Sequence, residues 1–279
     1  IERTAELLAE KEKSEALLVN ILPEEIAEDL KEEGASEPRF YEMVTVLFTD
    51  FQSFTQSATA ISPVELIQTL NEFFTAFDDI IDRNNLEKIK TIGDSYMCAG
   101  GLPTPNTSNP KDVVLAAKQI TKWVNDKNEE RQSQGLQKWE IRIGIHTGEL
   151  IAGVIGRKKF AYDVWGNTVN LASRMESSGE IGKVNISNAT YELIKDEFVC
   201  EYRGNIPVKG NVSMEMYFLS TIDFEAMEAF IQNKLETQLP DYLSYHSIAH
   251  TKDVYKVAVD IATTESIDPY HVQLLKTAV

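Results

Sequence analysis

The order of strand-like and helix-like patterns between residues 41 and 155 constrains the fold of this chain more than any other feature. A continuous apolar run suits a buried strand, whereas apolar residues three and four apart suit a helix with one buried face. The predicted elements are a strand over 43–48, a helix over 63–82, a hairpin of strands 87–90 and 95–99, a helix over 111–134, and a hairpin of strands 139–146 and 149–155 that turns at Thr147-Gly148. This β-α-β-β-α-β order predicts an α+β protein of the ferredoxin-like (split βαβ) type, an antiparallel sheet with helices on one face.

The charge and the cysteine count exclude some classes of function and of site. Asp and Glu number 44 against 27 Lys and Arg, a formal net charge of −17. Because phosphate backbones require clustered basic residues, we expect no nucleic acid among the partners. Any bound nucleotide is expected to be small and to be carried with its own metal ions. Only two cysteines occur, Cys98 and Cys200, which excludes a disulfide framework or a Cys-rich zinc module.

The sequence contains no signal peptide and no apolar run near 18 residues. We therefore expect a cytoplasmic location. The chain opens with Ile1 and not with Met, so we treat it as a piece of a longer protein that could be anchored to a membrane upstream.

Three segments are predicted, with boundaries at 36/37 and 222/223. Residues 1–36 are helical in pattern and interrupted at Pro23, and five positions follow a weak coiled-coil spacing: Leu7, Lys11, Ser14, Leu18 and Ile21. This segment is either a solvated acidic helix or a linker that passes a signal from an upstream sensor domain. Residues 37–222 hold the predicted sheet, to which 161–219 add a strand, a helix over 166–177, a strand–helix pair and two strands. Residues 223–279 are a predicted helical tail.

Two carboxylates are candidates for a metal site. Asp50 ends the first strand, and Asp94 lies at the tip of the next hairpin. In a split βαβ fold the two central strands are neighbours, so these carboxylates could converge at one sheet edge. Paired carboxylates suit Mg²⁺, which takes oxygen ligands and leaves positions for phosphates and water. On spacing alone, however, an Asp in a tight turn is commonly only a turn residue.

A second group of polar residues follows the sheet core. Asn170 and Arg174 are four residues apart on a predicted helix and therefore share one face, and Asp163 precedes that helix. An amide and a guanidinium on one face could bind a sugar and a phosphate, or they could be an exposed pair without a task. Taken singly, Lys90 and Lys209 would be solvated lysines.

Taken together, these residues resemble the catalytic domain of class III nucleotidyl cyclases, the adenylate and guanylate cyclase family, over roughly 41–219. Four ordered blocks carry the resemblance: Phe48-Thr49-Asp50-Phe51 with Phe54-Thr55; Lys88-Ile89-Lys90-Thr91-Ile92-Gly93-Asp94-Ser95-Tyr96-Met97; Arg142-Ile143-Gly144-Ile145-His146-Thr147-Gly148; and Tyr162-Asp163-Val164-Trp165-Gly166 running on to Arg174-Met175.

The resemblance implies a metal centre with two Mg²⁺ or Mn²⁺ ions per active site. Asp50 and Asp94 match the metal ligands, and the Phe51 carbonyl matches an additional ligand. The loop that contains Phe54 and Thr55 matches a phosphate-binding loop, although Ser53 stands where the family commonly has Gly.

The resemblance also implies a substrate. Lys90 and Asp163 match the purine-selecting pair, and in this family guanylate cyclases carry Glu and typically Cys at these places, so the pair indicates ATP. Guanine could satisfy the same pair with the donor and acceptor roles exchanged. Asn170 matches the residue that orients the ribose, and Arg174 the residue that stabilises charge on the α-phosphate. Lys209 matches the triphosphate-binding lysine.

The implied activity is conversion of ATP to 3′,5′-cyclic AMP and pyrophosphate. In this family each active site lies between two catalytic domains, and this chain carries both sets of residues. We therefore expect a homodimer with two composite sites. The alternatives are a guanylate cyclase, or a non-catalytic dimerising module that uses the cyclase fold.

The tail holds a shorter resemblance. Tyr245-His246-Ser247-Ile248-Ala249-His250 resembles the opening of an HD-type phosphohydrolase domain. The His-Asp pair that such domains need is absent before Val279, so residues 223–279 are either the beginning of a truncated HD-type domain or a degenerate helical tail. In either case the tail cannot hold a catalytic metal, and we expect helices without activity.

Overall fold

The computed structural model describes residues 21–52, 61–156, 160–208 and 212–220, together with 13, 18–19, 253–254, 256–257 and 260. The chain divides into two units, Ile1–Ser220 and Thr221–Val279. In the second unit the few described residues are helical. The HD-like motif over 245–250, and the coiled-coil positions Leu7, Lys11 and Ser14, lie outside the described residues.

The first unit consists of five helices and eight strands in the part of the chain that is described. The helices are α1 (Glu24–Glu33), α2 (Pro63–Arg83), α3 (Asn109–Ser133), α4 (Asn167–Ser177) and α5 (Asn188–Ile194). The strands are β1 (Arg39–Phe51), β2 (Glu87–Ile92), β3 (Ser95–Gly100), β4 (Ile141–Val154), β5 (Tyr162–Trp165), β6 (Val184–Ser187), β7 (Cys200–Val208) and β8 (Val212–Leu219).

All eight strands form one sheet in the order β2-β3-β1-β4-β6-β8-β7, and β5 pairs with the second half of β4. The four strands β2-β3-β1-β4 are antiparallel, which confirms the predicted split βαβ core. The pairing of β4 with β6 is parallel, so the extended sheet is mixed. This addition places α4 and β5 against the central strand β4.

The two faces of the sheet are buried by different helices. On one face, α2 and α3 pack over an aromatic cluster in which the rings of Phe51 and Phe73 lie 5.3 Å apart. These are the helices expected on one face. The opposite face is covered by Ile26 and Ala27 of α1 and by Ala172 of α4, which share a core with Val44 and Val46 of β1. Additional elements thus turn a two-layer core into a sheet covered on both sides.

Helix α1 begins after Pro23 and ends at Gly34, whose φ of 73° suits a left-handed helix cap. Arg39 at the start of β1 forms ion pairs with Glu25 and, at 2.8 Å, with Asp29 of this helix. Together with the buried Ile26, these contacts fix α1 against the sheet. Among the described helices, none is both long and apolar enough to cross a membrane.

One predicted element is wrong. The second hairpin does not exist, because 141–154 is a single strand whose pairing with β1 continues through Thr147 and Gly148. Gly148 is needed for a close approach and not for a turn: a Cβ there would lie 2.6 Å from the Thr168 hydroxyl at the start of α4. Thr147 supports the strand by its hydroxyl, which lies 2.9 Å from that of Thr45 on β1.

Candidate active site

Strand pairing brings Asp50 and Asp94 together, as the sequence predicts. Thr49 of β1 pairs with Tyr96 of β3, which places Asp50 beside Ser95 and the hairpin tip. The Ser95 hydroxyl donates a hydrogen bond of 2.6 Å to Asp50. The pKa of Asp94 is raised by burial and next by the charge of Asp50, while backbone N–H groups, including that of Phe51, oppose the rise. Two like charges are therefore held close together at the end of β1.

Arg142 joins this carboxylate pair from the neighbouring strand. It lies opposite Asp50 in the β1–β4 register, and its Nη2 donates a hydrogen bond of 3.4 Å to Asp50. The same nitrogen lies 2.9 Å from Oε1 of Glu176 on α4. Burial raises the pKa of Glu176 to about 7; the charge of Arg142 opposes this rise and the charges of Asp50 and Asp94 add to it.

The donor set fits divalent cations that prefer oxygen. Asp50 and Asp94 are half-buried carboxylates of like sign that repel each other, and a bound divalent cation would offset this repulsion. The side chain of Phe51 is buried in the aromatic cluster, so only its backbone is available to the site. Within the described residues no cluster of three or more His, Cys, Asp or Glu side chains could hold a metal. Water, a carbonyl or substrate phosphates would therefore complete the coordination.

A second pair, Lys90 and Asp163, is also in contact. Nζ of Lys90 lies 2.5 Å from Oδ2 of Asp163, which accepts a further hydrogen bond of 2.8 Å at Oδ1 from the Val164 backbone. The Lys90 side chain is 40% exposed and that of Asp163 23% exposed. The pair thus presents a donor and an acceptor side by side at the surface of the monomer.

A β-bulge explains why Lys90 reaches Asp163. Lys88 pairs with Cys98 and Lys90 with Met97, so Ile89 is an extra residue in β2. In a regular strand Lys88 and Lys90 would share one face, whereas a bulge breaks this alternation. Lys88 forms an ion pair of 2.7 Å with Asp78 on α2, and Lys90 turns instead toward β5.

Helix α4 presents Asn170 and Arg174. Asn170 is exposed and Arg174 half-exposed, and the two are one helical turn apart, as predicted. Among the described residues, neither side chain has a hydrogen-bond or ion-pair partner. An unpaired guanidinium and amide at the surface are available to a ligand or to another chain.

The predicted site residues fall into two groups in one chain. Asp50 and Asp94 form the first, which we call the carboxylate half-site, and Arg142 completes it. The second, the base half-site, holds Lys90 and Asp163 with the α4 residues Asn170 and Arg174. Among the hydrogen bonds and ion pairs of the described residues, none joins the predicted residues of one half-site to those of the other. Phe54, Thr55 and Lys209 lie outside the described residues.

Two site residues were missed by sequence reasoning. Sequence reasoning includes Arg142 only as part of a motif and does not single out Glu176. The available signal was the alternation of β4, in which Ile141, Ile143 and Ile145 are buried and Arg142 must therefore point to the opposite face. No pattern in the sequence shows that α4 ends over that position.

Known proteins resemble this chain over the whole described sheet. The sequence profile of the family described as "Adenylate and Guanylate cyclase catalytic domain" matches residues 37–221. An adenylate cyclase of Mycobacterium bovis is 40% identical over 212 residues, which are 76% of this chain and 47% of that protein. The receptor-type guanylate cyclase gcy-5 of Caenorhabditis elegans is 38% identical over 223 residues, 78% of this chain and 20% of that protein.

A solved structure also resembles this chain. The guanylate cyclase domain of RhGC from Catenaria anguillulae, in complex with GTP, superposes with a TM-score of 0.61 at 33% identity and covers 65% of this chain and 98% of its own. The chain spans about half the length of the curated adenylate cyclase that it matches. The match to the family profile and the shared sheet topology show that this chain belongs to the family of adenylate and guanylate cyclase catalytic domains.

Proposed function

We propose that this protein is an adenylate cyclase, which converts ATP to 3′,5′-cyclic AMP and pyrophosphate. The observation that carries the choice of ATP is the contact of 2.5 Å between Lys90 and Asp163. The edge of adenine offers an acceptor at N1 beside a donor at its exocyclic amine. An ammonium and a carboxylate held side by side match that order.

In the proposed mechanism, the residues position the substrate and neutralise charge. The 3′-oxygen of the ribose attacks the α-phosphorus, the bond to pyrophosphate breaks, and the 3′-hydroxyl proton passes to solvent water. Asp50 and Asp94 would hold Mg²⁺ or Mn²⁺, two ions per site, with the Phe51 carbonyl as a further ligand. Divalent cations supply Lewis-acid stabilisation of the phosphate oxygens and acidify the 3′-hydroxyl.

The α4 residues act on the reacting phosphate and on the sugar. Arg174 has no partner among the described residues, so its guanidinium is available to stabilise the charge that develops on the α-phosphate. Asn170, one turn earlier, orients the ribose through its amide. Lys209 and the backbone at Phe54 and Thr55 are assigned to the phosphates by family resemblance.

The active unit is a homodimer with composite sites. In the described residues no hydrogen bond or ion pair joins the carboxylate half-site to the base half-site of the same chain, and a second copy supplies the missing half to each. An apolar strip supports this arrangement: Phe40 and Ile151 are cross-strand partners that are 60% and 43% exposed. We assign this strip to the dimer contact.

A guanylate cyclase is the second candidate. The similarity to gcy-5 and to a domain bound to GTP favours it. Guanine can also satisfy the Lys90–Asp163 pair, because its carbonyl accepts from Lys and its N1–H and amine donate to Asp. A non-catalytic dimerising module is disfavoured because the chain keeps Asp50, Asp94 and Arg174.

The test is cyclic nucleotide production by the purified chain with ATP and with GTP, in Mg²⁺ and then in Mn²⁺. Asp50→Ala is the blank. We expect metal-dependent cyclic AMP that disappears in the blank, because one carboxylate cannot hold the ions. Cyclic GMP as the main product would establish the second candidate, and no product from either nucleotide by a dimeric protein would support the non-catalytic module. The input from an upstream sensor, for which the linker over 1–36 is proposed, and the cytoplasmic location are separate proposals.

A further inference from the structure

Two buried polar atoms next to the carboxylate half-site have no hydrogen-bond partner in the described part of the chain. One is Nε of Arg142, a donor, and the other is Oε1 of Glu176, an acceptor. A buried donor or acceptor without a partner is destabilising, so two at one place call for a physical reason.

The two atoms belong to a pair that is close but not aligned. Nη2 of Arg142 lies 2.9 Å from Oε1 of Glu176, yet its N–H is not directed at that oxygen. The directed hydrogen bond of Nη2 goes to Asp50, at the longer distance of 3.4 Å. Arg142 thus lies between two carboxylates and makes its hydrogen bond with the one that is proposed to bind metal.

A small rotation of the guanidinium would satisfy both unpaired atoms. Arginine presents parallel N–H groups that match the two oxygens of a carboxylate, so Nε and Nη2 together could pair with Glu176. This pairing would release Asp50. In the described structure Arg142 is shared: it donates a hydrogen bond to Asp50 and forms an ion pair with Glu176 that leaves Nε unpaired.

We propose that Glu176 is a positioning residue, the alternative acceptor that takes Arg142 away from Asp50 when a divalent cation binds that carboxylate. The inference rests on the proposed function, since it assigns Asp50 to the metal. A cation at Asp50 repels the guanidinium, and Glu176 receives it in a paired, buried geometry. The hydrogen bonds gained by Nε and Oε1 then offset the loss of the Arg142–Asp50 contact.

The position of Glu176 depends on the packing of α4 against β4. The backbone of α4 passes so close to Gly144 that a Cβ on Gly144 would lie 1.9 Å from the nitrogen of Glu176. Glu176 is only 8% exposed at this contact. Its carboxylate is therefore held at one place beside Arg142, as an alternative acceptor must be.

The test is Mn²⁺ binding to the full chain without nucleotide, measured by the electron paramagnetic resonance signal of free Mn²⁺ at pH 8. Glu176→Gln keeps the size of the side chain and removes its charge, so Arg142 stays on Asp50 and competes with the metal. We expect Mn²⁺ binding at least about fivefold weaker than in the wild type, as the loss of a charged hydrogen-bonded pair implies. Glu180→Gln, which removes an exposed carboxylate paired with Lys183, is the matched control and should leave binding unchanged.

A double-mutant cycle distinguishes the exchange of Arg142 between Asp50 and Glu176 from a simple loss of negative charge. Arg142→Gln alone removes the competitor and should bind Mn²⁺ at least as tightly as the wild type. This expectation can be tested even if Glu176→Gln does not fold. In the Arg142→Gln background, adding Glu176→Gln should have little further effect. An equal loss in both backgrounds, weaker binding by Arg142→Gln, or no saturable Mn²⁺ binding by the wild type would overturn the proposal.

Activity is recorded separately so that the two proposals can fail independently. The exchange predicts that Glu176→Gln raises the metal concentration for half-maximal rate while kcat at saturating metal changes less. If the wild type binds Mn²⁺ and shows the cycle but makes no cyclic nucleotide, the proposed function fails and the exchange stands.

Discussion

Gly144 of β4 lies directly against the backbone of Glu176 on α4, where a Cβ would approach the nitrogen of Glu176 to 1.9 Å. Four residues further along β4, Gly148 makes the same kind of contact with the hydroxyl of Thr168 at the other end of α4. The two glycines therefore set how deeply α4 lies against the sheet. Because α4 carries Asn170 and Arg174, they also position the base half-site.

Gly144→Ala is expected to displace the end of α4 and to cost roughly 1–3 kcal/mol or more of unfolding free energy, since the neighbouring backbone cannot rotate away. Activity should fall more than about tenfold, as expected when catalytic groups shift by about an ångström. Gly148→Ala is the matched comparison, and its effect should be milder because a hydroxyl can turn aside. Thermal unfolding and cyclase rates check both. Equal effects of the two substitutions would contradict this account.

Mixing two inactive variants tests the composite site. Asp50→Ala disables the carboxylate half-site and Arg174→Ala the base half-site, so a mixed dimer keeps one intact site. After random exchange of protomers about a quarter of wild-type activity should return, because half of the dimers are mixed and each has one working site. Asp50→Ala mixed with Asp94→Ala is the control and should stay inactive. No recovery in the first mixture, with exchange demonstrated, would exclude sites shared between chains.

Exchanging the base-selecting pair should change the substrate. Lys90→Glu combined with Asp163→Cys places an acceptor where guanine presents its donors, so the ratio of kcat/KM for GTP to that for ATP should rise by at least about 100-fold. Lys88→Glu is the control, because Lys88 pairs with Asp78 on the other side of the strand. The measurement is cyclic AMP and cyclic GMP from mixed substrate. An unchanged ratio would remove this pair from base selection.

Adding a charge to the apolar strip should dissociate the dimer. Ile151→Glu places two like charges at or near the two-fold contact, which we expect to weaken association by at least about tenfold. Rate per protomer should then depend on protein concentration. Ile67→Glu is the matched control, since Ile67 is 63% exposed on α2, a helix that contributes no residue to the strip. Sedimentation measures the association, and a dimer of unchanged affinity in Ile151→Glu would place the interface elsewhere.

Stability should fall with acid through His146. Burial lowers the pKa of His146 to about 4, and its Nδ1 lies 2.7 Å from the Ser187 hydroxyl. The unfolded chain binds this proton more readily than the folded chain does. The free energy of unfolding is therefore not reduced by His146 above about pH 6.5, and it decreases by up to roughly 3 kcal/mol as pH falls toward 4. Urea unfolding of His146→Gln should lack this part of the acid dependence. Parallel curves for the two proteins between pH 7.5 and 4 would show that His146 does not titrate in this way.

The sequence predicted the β-α-β-β-α-β core because each element has its own local period, and it brought Asp50 and Asp94 together because β1 and β3 must be neighbours in that topology. The predicted turn at Thr147-Gly148 was wrong for a related reason. A glycine in an apolar run has the same local pattern whether it lies in a turn or allows a helix to pack closely against the strand. Only the helix packed against Gly148 distinguishes the two.

Residue type and order therefore determined by themselves the order of the four core strands, the carboxylate pair, and the face of α4 that carries Asn170 and Arg174. The tertiary structure decided what depends on register and depth. The bulge at Ile89 turns Lys90 to Asp163, and the approach of α4 to Gly144 places Glu176 beside Arg142. These contacts join residues 32 to 73 positions apart. A local periodicity cannot encode them, because they depend on how two elements are aligned in space and not on either element alone.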